Sequence, residues 1–210
     1  MVRFFNQEYK LIKSFFEGNF QVIIVLSVTT FSLVMQWYRP ISANLALSNV
    51  VYYLILPVFI IFFILRDNPL DYGFRLGDYK IWLYYIVLTI AIGIPVLLIG
   101  SRFASVQKYY IKSFNYYDFF TSSVVILFAW EYLLRGFLLF GLRKQFGEAS
   151  IIIQMVPFVL LHLGKPEAET LSCILTGLWF GWIAYRGKSF WPAFIIHVFI
   201  NFTVKFIVNY

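Results

Sequence analysis

Cysteine occurs once in this 210-residue chain and histidine only twice. A single thiol excludes an intrachain disulfide framework, so nothing asks for an oxidising compartment. Cys173 lies in an apolar run, where a small buried residue is a simpler reading than a nucleophile. Charge is scarce too: Asp, Glu, Lys and Arg make up 13% of the residues, against about 25% in soluble domains. No serine stands in a nucleophile-elbow context, and HExxH is missing, which removes two common hydrolase motifs. No linker, low-complexity tract or repeat divides the chain.

What fills the sequence is apolar: 61% of the residues are hydrophobic and 22% aromatic. That composition predicts an all-α, polytopic membrane bundle. The net charge is +7, but the basic residues lie mostly in short loops between apolar segments. They read as topology and lipid contact rather than nucleic-acid binding. Residues 1–19 set Phe4, Phe5, Tyr9, Ile12, Phe15 and Phe16 at helical spacing, with Lys10, Lys13 and Glu17 on other faces. This predicts an interfacial amphipathic helix. Residues 20–210 then form one transmembrane domain of about seven helices, near 20–38, 47–65, 81–100, 118–142, 151–163, 170–185 and 190–208. The first apolar stretch is long enough to span and is read as a span, not a cleaved signal peptide. Pro57, Pro95 and Pro157 fall inside spans, which membrane helices tolerate. Gly177 and Gly181 make a GxxxG, a close-packing face.

With seven spans, one side of the membrane holds ten basic residues: Arg3, Lys10, Lys13, Arg66, Arg75, Lys80, Arg143, Lys144, Arg186 and Lys188. The other holds six: Arg39, Arg102, Lys108, Lys112, Lys165 and Lys205. The positive-inside rule then predicts a cytoplasmic N-terminus.

Arg135, the remaining basic residue, is inside a span with Glu131, in FAWEYLLRGFLLF. Each such charge costs roughly 2.5–3.5 kcal/mol at a helix centre. Glu131 and Arg135 are four apart, so they share a helix face and can pair. His197 and Asn201 have the same spacing in HVFIN, as do Phe158 and His162 in FVLLH. Polar groups on three segments can therefore meet at one interior point. A Glu and a His can hold and deprotonate water. Glu131, His162 and His197 could instead bind zinc with one position open. Asn201 and a second His can donate hydrogen bonds to a developing oxyanion. The reaction class this suggests is attack of water on a peptide carbonyl inside the membrane.

Plainer readings stand beside this one. Glu131 with Arg135 can be a structural tie between helices. His162 can be an ordinary interfacial residue. His197 with Asn201 can be an interhelical hydrogen bond, worth on the order of 0.6 kcal/mol. A buried Glu and His also mark ion paths, so a small transporter or proton relay is a further reading, although the chain lacks the inverted repeats of many transporters.

The three motifs, WEYLLRG (130–136), FVLLH (158–162) and HVFIN (197–201), resemble in order and spacing those of the CPBP family of intramembrane metalloproteases. That family includes type II CAAX prenyl proteases and bacteriocin-immunity or abortive-infection proteins. The resemblance covers roughly residues 118–205. HLGKPEAE (162–169) is similar to a family variant, and DYGFRLGDYK (71–80) more weakly resembles the loop before the core helices. It implies an intramembrane protease in a prokaryotic cytoplasmic membrane, acting on a peptide or membrane-protein substrate that can carry a lipid. Glu131, set by Arg135, would be the general base with His162; His197 and Asn201 would polarise the carbonyl. Zinc is a cofactor the resemblance leaves open. One position departs: Trp130 stands where the family pattern EExxxR has its first Glu. Either Glu131 serves as the working carboxylate, or Glu169 replaces it, or hydrolysis has been lost and the chain sequesters a peptide instead.

Overall fold

The computed structural model describes residues 1–111 and 114–210. Lys112, one of the basic loop residues counted above, lies outside the described residues. Among these the chain forms nine helices and no strand. They are α1 (Val2–Gly18), α2 (Phe20–Tyr38), α3 (Leu45–Leu65), α4 (Tyr79–Gly100), α5 (Ala104–Tyr110), α6 (Tyr116–Phe146), α7 (Ala149–Leu160), α8 (Glu167–Gly187) and α9 (Trp191–Asn209).

All seven expected segments are helical over most of their length; the fifth, expected to 163, stops at Leu160. Five of them, α2, α3, α4, α6 and α9, are long and apolar enough to cross a membrane, so this is a polytopic helical membrane protein. The other two differ for separate reasons. Helix α7 has 12 residues, about 18 Å at helical rise. Helix α8 has 21 residues but carries Glu167 and Glu169 in its first turn and Arg186 in its last. It packs one face antiparallel on α7 and leaves Leu171, Ile174 and Leu175 exposed. The glycine pair explains how: Gly177 faces Phe158 and Met155 of α7, and Gly181 faces Ile151 and Gln154. The GxxxG is thus an internal contact between α7 and α8.

Helix α6 is the axis. Two thirds of its apolar window, 67%, is buried, against at most 28% in any other span. Asn115 caps its start by accepting from the amides of Tyr117 and Asp118. Inside it, Tyr132–Leu138 winds as a π-helix in which every residue is buried. Such stretches commonly mark functional sites. The prolines do not break the spans: helix α3 continues through Pro57, flanked by π-helical turns at Val51–Ile55 and Ile61–Leu65. Pro57 lacks the N–H its turn would use, and the looser winding absorbs the loss.

Short polar bonds gather the helix ends. At one end Gln145 donates to Asn19 Oδ1 at 3.0 Å and Gln21 donates to the Gly141 carbonyl at 3.0 Å. The loop after α3 closes on the same end: the Asp78 amide donates to the Gly187 carbonyl at 2.8 Å, and Trp191 Nε1 donates to the Phe74 carbonyl at 2.9 Å. Gly77 there has φ +60°, and any side chain would strike the Gly187 carbonyl. At the opposite end α5 is tied to α8 and α9, as described below. Helix α1 stands apart, with Phe4, Phe5, Tyr9, Ile12, Phe15 and Phe16 all exposed.

Candidate functional site

The centre of the bundle collects the polar residues that the apolar pattern made conspicuous. Glu131 ends the α-helical stretch Val124–Glu131 of α6, and Arg135 lies in the π-helical stretch that follows. Both are 0% exposed. Arg135 Nη1 donates to Glu131 Oε1 at 3.0 Å. The same oxygen accepts from His197 Nδ1 of α9 at 2.6 Å. His162 lies in the turn just past α7, and its Nδ1 donates to the Phe158 carbonyl at 2.8 Å. The two imidazoles stack with centroids 6.1 Å apart and planes 24° apart. Three helices therefore bring Glu131, Arg135, His162 and His197 to one buried point.

Aromatic rings seal it. The Arg135 guanidinium lies 4.0 Å from the Phe158 ring centroid and 5.3 Å from that of Phe180. These faces offer the cation electron density that lipid cannot. Phe158 also packs on both imidazoles, and Phe180 on His197. Phe158 was visible in FVLLH, though not as a partner of Arg135. Nothing in the sequence singles out Phe180. Trp130 meets the His162 ring edge-on at 5.8 Å and donates Nε1 to Asn49 Oδ1 of α3 at 2.7 Å.

Asn201, one turn beyond His197, lines a cavity of about 360 Å³ with Tyr110, Phe119, Lys165 and Lys205 among others. Its Oδ1 is buried with no partner among the described residues. Glu169 is held by two residues that line this cavity. Both its oxygens accept from the Tyr110 hydroxyl at 2.8 Å, and one accepts from Lys165 at 2.8 Å. Burial and the Glu169 carboxylate push the Tyr110 phenol above its ordinary range. Asn209 donates to the Tyr110 carbonyl at 3.0 Å, so α5 is fastened to α8 and α9 at once. Thr170 donates to the His162 carbonyl at 2.8 Å, which joins this cluster to the imidazole turn.

A zinc ion would need three protein ligands with suitable donors. Among the described residues no group of three His, Cys, Asp or Glu is arranged to hold a metal ion. Glu131 Oε1 already serves Arg135 and His197, and Nδ1 of each imidazole is engaged. The two Nε2 nitrogens and the buried Glu131 Oε2 remain without a partner among the described residues, and the three are not arranged to hold an ion. What they can do is accept protons. A carboxylate oxygen and a carbonyl are acceptors only, so the ring nitrogens facing them carry hydrogen. Each neutral imidazole then has Nε2 as a base.

No curated protein and no solved structure matches the chain. A family model does, over residues 112–203, a little under half of the chain: it is described as Rce1-like, type II CAAX prenyl endopeptidase Rce1-like. The matched stretch contains Glu131, Arg135, His162, His197 and Asn201. Residues 112–203 are thus similar to the family that the three motifs resemble.

Proposed function

We propose that this protein is an intramembrane endopeptidase, hydrolysing a peptide bond with water activated at the Glu131, His162 and His197 centre. The observation that supports it is the three-helix assembly in which Glu131 Oε1 holds both Arg135 and His197, with the His162 ring stacked beside them. Arg135 is the buried counter-charge of the carboxylate. The imidazoles accept protons. Asn201, one turn beyond His197 and on the cavity wall, binds the carbonyl oxygen as negative charge develops. The substrate is a peptide or membrane-protein segment entering by that cavity, with or without a lipid on it. Helix α1 rests its exposed aromatic face on the membrane surface, with the N-terminus cytoplasmic.

The test uses purified full-length protein in lipid nanodiscs and an internally quenched CAAX-type peptide, farnesylated or not. Wild type cleaves at least one of the two. His162→Ala and His197→Ala abolish cleavage, and Glu131→Ala lowers it at least roughly 100-fold, while each variant still melts cooperatively. Cleavage at the wild-type rate by all three would remove the site assignment.

Trp130 favours a second reading, in which the chain sequesters a peptide without cutting it. Its indole stands at the family's acid position and is bonded to Asn49. Mass spectra of the purified protein decide: an intact bound peptide without cleaved product supports sequestration.

A further inference from the structure

Water has two hydrogens to give and lone pairs with which to attack, and the site offers two bases to receive those hydrogens. His197 Nδ1, 2.6 Å from Glu131 Oε1, and His162 Nδ1, 2.8 Å from the Phe158 carbonyl, both face pure acceptors. Their Nε2 atoms are therefore the nitrogens left to act, on rings stacked 6.1 Å apart. Glu131 is placed quite differently. It is wholly buried, its Oε1 serves Arg135 at 3.0 Å and His197 at 2.6 Å, and its Oε2 is enclosed with no partner among the described residues. Protonating that carboxylate would leave a buried guanidinium without its counter-charge, a costly outcome in a sealed interior. On α6 it is Trp130, not Glu131, whose side chain meets the His162 ring.

We propose that the attacking water gives one hydrogen bond to Nε2 of each imidazole, and that His197, rather than Glu131, takes its proton. This rests on the hydrolase reading above. Glu131 is then a positioning residue that fixes the His197 ring and stabilises its charged form. The step balances. The water O–H bond facing His197 breaks as the oxygen forms a bond to the carbonyl carbon, and the C=O pair moves onto the carbonyl oxygen. The proton resides on His197 Nε2. When the C–N bond breaks, the leaving nitrogen takes that proton, the carbonyl reforms, and His197 is neutral again. Glu131 and Arg135 on α6, with His162 and Lys165 from the α7–α8 turn, are the charged and titratable groups that face His197.

Because the chain has only two histidines, nitrogen-15 NMR of the full-length protein labelled at histidine reads both rings without turnover. The expected spectrum at neutral to mildly alkaline pH has hydrogen on Nδ1 of both. Glu131→Gln keeps Oε1 as an acceptor for Arg135 and His197, so the His197 tautomer stays while the negative charge is lost. In the peptide assay Glu131→Gln retains cleavage about 100-fold below wild type, and the limb of its pH profile set by His197 moves to lower pH. Glu131→Asp recovers part of the rate. His197→Gln falls by roughly 10⁴-fold at an unchanged melting temperature. Hydrogen on Nε2 of His197 in the wild type overturns the proposal, as does a His197→Gln variant within tenfold of wild type. A Glu131→Gln loss as deep as that of His197→Gln also overturns it, returning the base role to the carboxylate. A wild type that cleaves no peptide sinks the hydrolase reading on its own, and the spectra still decide the tautomers.

Discussion

Trp130 donates its indole N–H to Asn49 Oδ1 at 2.7 Å, and Asn49 donates Nδ2 to the Leu45 carbonyl at 2.7 Å. The pair fastens α6 to the start of α3. It also fixes the indole beside His162. A Trp at this point thus has a structural partner of its own.

Breaking that bond tests its worth. In membrane bundles, side-chain hydrogen bonds between helices average about 0.6 kcal/mol and reach about 1.7. Asn49 is 5% exposed, so the upper part of that range is expected here. A double-mutant cycle with Trp130→Phe and Asn49→Ala, read by denaturant unfolding, should give a coupling of about 1–1.7 kcal/mol. A coupling near zero would mean that packing alone holds the indole.

Much of this architecture was legible in the sequence, for a simple reason. In hydrocarbon a charged residue has few tolerable places, so Glu131, Arg135, His162 and His197 announce a shared interior. Their partners were less legible. Spacing of four put Glu131 next to Arg135, and it is. But one helix cannot reveal which other helix faces it, so the bond from His197 rather than His162 needed tertiary structure. Glu169 shows the same limit: it follows His162 by seven residues, yet α8 begins at Glu167 and turns it toward Tyr110. The ends of α7 and α8 were blurred too: α7 stops at Leu160, before the apolar run does, and α8 begins at the charged Glu167, before the apolar run starts.

Gly177 is expected to tolerate no side chain. A methyl there would lie 2.9 Å from Phe158 Cδ1 and 3.0 Å from Met155 Cγ. Phe158 cannot retreat freely, because its other contacts are Arg135 and both imidazoles. Gly177→Ala should cost about 1–3 kcal/mol and lower peptide cleavage with it. Thermal unfolding of the variant in nanodiscs, alongside the peptide assay, checks both.

The Tyr110 clasp gives a pH signature at the alkaline end. In the fold the phenol is raised above its unfolded value of about 10. The folded state therefore resists ionisation, and the clasp's stability is full below pH about 10 and falls as pH rises beyond it. Tyr110→Phe should lower the melting temperature at pH 8 and show a shallower further drop between pH 9.5 and 11. Parallel curves for wild type and variant across that window would place the alkaline loss in other tyrosines.

Arg135 allows the sharpest stability experiment. Its guanidinium and the Glu131 carboxylate are both 0% exposed, and Phe158 and Phe180 flank the cation. Removing one charge strands the other, so Arg135→Leu should cost about 3–5 kcal/mol. Arg135→Lys keeps the charge but loses the flat face against Phe158, and should fall between wild type and Arg135→Leu. Removing both charges, in Glu131→Leu with Arg135→Leu, should recover a good part of the loss, because no uncompensated ion remains. That double variant should also be inactive toward peptide, since His197 would lose the carboxylate that orients it. A double variant no more stable than Arg135→Leu alone would show that the two charges are not paired in the membrane.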